Sequence, residues 1–255
     1  MQYGEPIIEF PFDYDEFDGA VEHTELTDID RAVGSFFQMI LDSLVVVDGN
    51  RKENEEFARF VSRERQTKLY AGEFLTPQDF LTKLTAKTGE QVKSKRNELL
   101  PVAYITRDPV VGFSEGSEYI DVTAAAMLTN AATGEKYAQV NKSFVRLTYI
   151  ITTLAWSKST LSRMALGLMM WTRHKKRGRK HVFQAETQLA GSPVQVNIEL
   201  TGMLDTMAEP AEIDHESTRL YASTLRFEVI SEIYEAESMS VKQGRVEVGE
   251  GKLYE

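Results

Sequence analysis

The stretch 144–156, Phe-Val-Arg-Leu-Thr-Tyr-Ile-Ile-Thr-Thr-Leu-Ala-Trp, limits the fold more than any other part of the sequence. Val145, Leu147, Tyr149 and Ile151 fall on alternate positions, the period of a strand with one buried face. The run is too long and too rich in β-branched residues for an exposed helix, so it belongs at the centre of a sheet. Directly behind it, residues 158–173 place Leu161, Met164, Ala165, Leu168 and Thr172 at helical spacing, with Ser157 positioned to cap the first turn. The methionines and Trp171 would suit an adaptable binding face; packing against the sheet is the plainer reading.

Around this strand–helix unit the remaining elements fall into order. Ile29, Val33, Phe36, Phe37, Ile40 and Leu41 form the apolar stripe of a helix over 28–42, with Thr27 or Asp28 as cap. Residues 44–47 read as a short buried strand stopped by Asp48-Gly49-Asn50. Two charged helices are expected over 53–69 and 77–88, the second opened by Thr76 as cap and Pro77 at the first helical position. Residues 99–106 read as a strand running into a turn at Arg107-Asp108-Pro109, and Thr133-Gly134-Glu135 is a turn signal. After the helix, 181–189 and 194–204 read as a hairpin about Gly191-Ser192-Pro193, with Val194, Val196, Ile198 and Leu200 on its buried face. A Glu- and Pro-rich loop over 207–216 leads to a last strand over 220–234. The fold class is therefore α+β: a central mixed or antiparallel sheet flanked by helices, with extended termini.

With 255 residues, 42% of them hydrophobic, the chain can bury roughly 70% of its unfolded surface around one core. No Pro/Gly/Ser-rich linker divides it. The reading is an acidic, aromatic N-terminal arm at 1–27, one α+β domain at 28–235 and a C-terminal extension at 236–255. Cysteine is absent, which removes disulfides, thiolate chemistry and cysteine-containing metal sites and suits assembly in a reducing cytoplasm. Met1 to Glu5 carry no basic start to a signal sequence, and no apolar run reaches the ~18 residues of a membrane span. Neither secretion nor membrane insertion is expected.

The formal charge of −10 is unevenly spread. No basic residue precedes Arg31, whereas residues 173–181, Arg-His-Lys-Lys-Arg-Gly-Arg-Lys-His, are almost entirely basic. The acidic total argues against an electrostatic grip on nucleic acid, which needs clustered cations to displace counterions from phosphates. The arm holds Phe10, Phe12 and Phe17 among its acids, and disordered segments are poor in aromatics. It reads either as a solvated edge or, more sharply, as a segment that docks on its own domain or on a neighbouring subunit.

Catalytic patterns are missing. His23, His174, His181 and His215 show no metal-binding spacing, and the two that flank the basic loop simply add polarity there. Gly249-Glu250-Gly251-Lys252 lacks the strand, spacing and helix of a phosphate loop, and no serine sits in a nucleophile elbow. Neither cofactor nor metal is expected, and the chain is read as no enzyme. The enzymatic rival is a carboxylate dyad hidden among the many acids; the other is a soluble adaptor domain that binds a different protein.

The succession of Leu99-Leu100-Pro101-Val102-Ala103-Tyr104-Ile105-Thr106-Arg107-Asp108, the strand from Phe144 to Thr152 with its helix, and the strands at 194–200 and 225–230 resembles tail-terminator proteins of bacteriophages. Within that group it is most similar to the tail-completion and sheath-stabiliser proteins of contractile-tailed phages. Arg107 stands where their pattern has an arginine-bearing turn after a Leu-Pro strand. The resemblance spans about residues 28–235. It implies a structural virion protein assembled in the host cytoplasm, six copies forming a ring at the top of the tail. It also implies contacts above to neck or connector proteins and below to tail tube or sheath. DNA would pass through the lumen without specific binding, and an acidic lumen would repel its phosphates.

Two partner-binding surfaces follow as expectations: the aromatics Phe10, Phe12 and Phe17, and the loop residues Arg173, Lys175, Lys176, Arg177, Arg179 and Lys180. The loop would face an acidic partner, either the arm of the next subunit or a tube or sheath protein; otherwise it is a solvated connector. Exposed ion pairs contribute only about 0–1 kcal/mol each, so single substitutions should do little. Changing all six basic residues to Ser should lower incorporation into tails in a salt-dependent way while the chain stays folded. Undiminished incorporation at every ionic strength would reduce the loop to a connector.

Overall fold

The computed structural model describes residues 21–88, 99–114, 116–130, 132–134, 136–173, 181–203, 209–215 and 218–238. In chain order the first elements are β1 (Val21–His23), α1 (Leu26–Asp42), α2 (Glu55–Ser62), β2 (Leu69–Ala71), α3 (Pro77–Thr88), β3 (Val102–Phe113) and β4 (Val122–Thr129). Then come β5 (Lys136–Ala155), α4 (Lys158–Arg173), β6 (Val182–Leu189), β7 (Ser192–Met203), β8 (Glu209–His215) and β9 (Thr218–Ser238). The architecture is α+β, a curled sheet like half a barrel with helices packed on it. Its main path runs β2-β3-β5-β9-β7-β6, with β4 added beside β5, and β1 and β8 beside β9. β2 and β3 are parallel and every other pair is antiparallel, so the sheet is mixed.

The spine is the β5–β9 pair. It holds register without a break from Ala138 opposite Ser238 to Ala155 opposite Tyr221, a ribbon of about 60 Å at the usual strand rise. Val145, Leu147, Tyr149 and Ile151 share one face with Leu225, Phe227 and Val229, all buried. Against that face lie the stripe of α1, from Ile29 to Leu41, and Met164, Ala165 and Leu168 of α4. Phe57 and Phe60 of α2 close the same core. Phe36 stacks on Phe183 at 4.4 Å and meets Trp171 edge-on at 5.3 Å. On the opposite face, at one end, Phe80, Leu81 and Leu84 of α3 pack on Val102, Tyr104, Leu154 and Ala222. At the other end Ala138, Val140 and Ala236 meet Leu189 and Val194 at the tip of the β6–β7 hairpin.

Two of the three predicted caps are in place: the amide of Asp79 donates to Thr76 Oγ1 at 3.1 Å, and that of Thr160 to Ser157 Oγ at 3.2 Å. The third is corrected, because α1 begins at Leu26, which puts Thr27 and Asp28 inside the helix and Glu25 at its N-cap with no side-chain cap hydrogen bond. Glu56 of α2 strengthens the second junction, accepting from the Trp156 amide at 2.7 Å and from the Ser157 hydroxyl at 2.6 Å. The hairpin turn comes earlier than expected. Ala190 and Gly191 have φ of 47° and 75°, the double positive φ that suits a two-residue turn to the sheet twist. Pro193 thus lies within β7, opposite Gln188.

Several expected elements are corrected. Residues 44–47 are no strand: Leu44 and Val46 rest on the core while Val45 and Val47 are exposed. The Val47 carbonyl is taken by the Asn54 side chain at 3.1 Å, where a strand would offer it to a neighbour. The helix expected over 53–69 covers only Glu55–Ser62, followed by a 3-10 turn at Arg65–Thr67 and by β2. Lys68, nearly buried, donates to the Val61 carbonyl at 2.9 Å and to Asp42 at 3.1 Å; a cation at the helix C-terminus is favourable there. The turn expected at 107–109 is a bulge inside β3, where the register against β5 shifts between Arg107 and Val111; Pro109, without an N–H, suits such a break. The loop expected over 207–216 contains β8, which pairs with the start of β9. β4 was not expected at all. Residues 21–25, assigned above to the arm, include β1, and the last residues of β9 fall in the stretch assigned to the C-terminal extension.

One carboxylate ties three strands together. Glu232 of β9, 6% exposed, accepts from Lys142 Nζ of β5 at 2.5 Å, and both the amide and the side-chain nitrogen of Asn197 on β7 donate to it at 2.8 Å. Tyr234 Oη adds a fourth donor at 3.1 Å. Burial works to raise its pKa, but the hydrogen bonds from Lys142 and Asn197 together outweigh burial and hold it below the ordinary glutamate value. A folded-state pKa below the unfolded one stabilises the fold above the unfolded value, and this contribution is lost as pH falls through the folded one. Urea denaturation should therefore show stability declining as pH drops below about 4.3, with a shallower decline in Glu232→Gln. Equal slopes for the two proteins in that window would mean that this carboxylate carries no pH-linked stability.

Candidate functional site

The polar side of α1 and the β2–β3 edge of the sheet enclose a groove of about 1000 Å³. Thr27, Arg31, Gly34 and Gln38 line it from α1, at the i, i+4, i+7 and i+11 spacing that puts residues on one helix face. Leu69 and Ala71 of β2 and Ile105 of β3 form the facing wall, and the loop carrying Phe74 and Leu75 forms the rim. A side chain at Gly34 would meet nothing within 4 Å, so the groove is open at that point. Leu75 is 94% exposed.

At the inner end of the groove three side chains from three elements converge. Tyr149 Oη donates to Asp30 Oδ1 at 2.7 Å, and Arg107 Nε lies 2.9 Å from the same carboxylate. Burial, first, and then the Asp30 carboxylate push the Tyr149 phenol far above its ordinary pKa, so it stays a donor. Asp30 is thus committed to two partners, and the cluster fixes the start of α1 to β3 and β5. Two further guanidinium groups face the groove: Arg31, paired with Asp28 at 2.9 Å, and Arg65, paired with Asp42 at 3.1 Å. Each of the three arginines engages its acid through a single nitrogen, which keeps other N–H donors available. Chemically the groove offers an apolar wall, a strand edge and guanidinium donors whose charges are already balanced by Asp28, Asp42 and Asp30.

A second concavity, of about 1400 Å³, lies across α1, between Met39 and Trp171 on one side and β6 on the other. Among the described residues no group of three or more His, Asp or Glu side chains is placed to hold a metal ion. Among them, too, no helix is long and apolar enough to cross a membrane.

Of the residues expected to bind partners, Arg173 is exposed at the last position of α4. Lys175, Lys176, Arg177, Arg179 and Lys180 lie outside the described residues, as do Phe10, Phe12 and Phe17. His181, read as adding polarity beside the loop, is buried with its ring 5.9 Å from that of Trp171. Met164, from the methionine stripe of α4, is fully buried, whereas Met170 is 46% exposed. Arg107 had been marked in the sequence, but its partners Asp30 and Tyr149 had not. Tyr149 sits in the apolar alternation of β5 and Asp30 within the first turns of α1. A polar group inside each pattern was the available signal.

The chain matches no protein-family model, and no curated protein is similar enough in sequence to count as a relative.

A hydrogen bond to a charged acceptor contributes about 1.5–3 kcal/mol, so Tyr149→Phe should destabilise the fold by about that much in urea denaturation. In an Asp30→Ala background the same substitution should cost markedly less, because its acceptor is gone. Additive effects of the two changes would show that the contact carries no energy.

Proposed function

We propose that this chain is a structural subunit of a bacteriophage tail, a tail-terminator or tail-completion protein with no catalytic role. Six copies form a ring at the top of the tail that meets tube or sheath below and a neck or connector protein above. The chain is built in the host cytoplasm and functions in the virion.

The observation that carries this reading is how much of the sheet is left to be covered by something else. The outer half of β3 and the whole of β4 follow one another along the same flank of β5, and they expose Val110, Phe113, Val122 and Met127. Phe113 is 70% exposed and Ile120, between the two strands, 64%. Isolated apolar side chains on a surface need no explanation, but a run of this kind on paired strands is characteristic of an interaction surface. Among the described residues β2 and β6, the ends of the main path, also carry no strand on their outer sides. Open edges invite pairing with another chain, and closed rings satisfy such contacts without leaving one unmatched.

Charge supports the same reading. A net of −10 repels phosphates, so a ring of such chains would let DNA slide through its lumen without gripping it. The role also needs no cofactor and no active site.

The reading is tested by electron cryo-microscopy of virions that carry the protein. Six-fold density at the top of the tail, accounted for by this fold, is the expected result. Any other symmetry at that position, or the absence of the chain from the particle, would overturn it.

A further inference from the structure

We infer that β4 of one copy of this chain pairs with the outer edge of β6 on the next, inside the concavity between β6 and α1, so that the sheet continues from molecule to molecule. The inference deepens the self-association in the proposed ring and rests on it. The acceptor is a strand edge facing a helix. Among the described residues β6 has β7 on one side and no strand on the other. Phe183, Ala185 and Thr187 line the concavity from one face of β6, and Gln184, Glu186 and Gln188 from the other. It therefore runs along the free edge of the strand and not over one face, with Ala32, Ser35 and Met39 of α1 across from it. Its charges are nearly balanced: Arg31 is paired with Asp28 and Arg65 with Asp42, which leaves Glu186 as one further charge on the lining.

The donor matches an edge of that kind. β4 reads Val-Thr-Ala-Ala-Ala-Met-Leu-Thr, exposed except for Leu128, and among the described strands longer than three residues it alone has no charged side chain. Open edges are ordinarily guarded by charges or proline, and β4 has neither. Its bulge is closed toward its own chain, since the Ala124 amide donates to Asn141 Oδ1 at 3.0 Å, and Ala126 to Leu128 pair regularly with β5. An uncharged strand can enter a charge-balanced groove without desolvating an ion, and the two rows of backbone groups satisfy each other. Three successive alanines keep it slim beside α1.

Topology sends this contact to another molecule. β4 lies on the flank of β5 that faces away from β9, while β6 ends the sheet on the far side of β9 and β7. The two free edges therefore point in opposite directions, and each copy is a donor at one end and an acceptor at the other. Such a head-to-tail contact, repeated with a constant rotation, closes into a ring. β2, the other end of the main path, has three residues against the eight of β4 and of β6, so β6 is the edge that fits. Pairing of β4 with β4 would be two-fold and would stop at a dimer.

The absence of native cysteine allows a clean test on the full chain. An Ala125→Cys protein is mixed with a Glu186→Cys protein and treated with a short bismaleimide over a range of concentrations. The expected result is a covalent pair of chains. High salt should not lower its yield, because no ion pair holds the contact, whereas adding Met127→Lys to the Ala125→Cys chain should reduce it severalfold by guarding the edge. A Val45→Cys partner, 76% exposed in its native form, should give little product. A chain carrying both Ala125→Cys and Glu186→Cys should give a ladder of linked chains. The inference is overturned if no pair forms at any concentration, if high salt abolishes the pair, or if Val45→Cys links as well as Glu186→Cys. It is equally overturned if the double variant stops at pairs, which would indicate a two-fold contact, or links only within itself. Because the readout is a contact between two chains, it can fail while a six-fold ring stands, and succeed where the ring's position on a tail does not.

Discussion

The structure depends on the unbroken pairing of β5 with β9. Each of these strands offers one edge to the other over its whole length and divides its second edge among several partners. On β5 that edge is shared by β3 and β4; on β9 it is shared by β8, β7 and β1. The ribbon also supplies the floor of the main core on one face and of the smaller α3 core on the other. A slip of one residue would turn both sets of side chains to the wrong face together, so the two cores fix each other's register.

Three carboxylates join elements that apolar contact alone would leave free to slide. Glu232 links β5, β7 and β9; Asp30 links α1 to β3 and β5; Glu56 links α2 to the junction of β5 and α4. Removing one partner of such a set leaves a desolvated group behind, which costs more than the bond itself was worth. The same arrangement shapes the groove. Because Asp30 is held from below by Tyr149 and Arg107, α1 stands off the β2–β3 edge at a fixed place.

The parts of this fold legible in the sequence were those whose side chains report their surroundings by period. The alternation of Val145, Leu147, Tyr149 and Ile151, the stripe of α1 and the caps Thr76 and Ser157 all name their elements directly. The misses share a cause. Val45 and Val47 look like strand residues, but only a partner makes a strand, and no strand among the described residues pairs with them. β4 is exposed along nearly its whole length, so its side chains show no inward period, and only its pairing with β5 makes it a strand. Arg107-Asp108-Pro109 has the composition of a turn; as a bulge it bends β3 without ending it. The groove was legible in one residue, Arg107, since its other members come from segments far apart in the chain and meet only after folding.

The ribbon also extends well past the core. The main core takes its last β5 residue at Val145, and β5 begins at Lys136, so about 30 Å of paired strand lies beyond it, joined to the tip of the β6–β7 hairpin through Ala138, Val140, Leu189 and Val194. Ribbon end and hairpin tip together behave as a lever whose fulcrum is the packed face under α1 and α4. A rotation of ten degrees about that fulcrum would carry the tip, with Glu237 and the start of β1, through roughly 5 Å. A load applied where the chain enters at Val21 would thus reach the core as torque, and a small repacking under α1 would emerge at the tip as a displacement large enough for a neighbouring molecule to register.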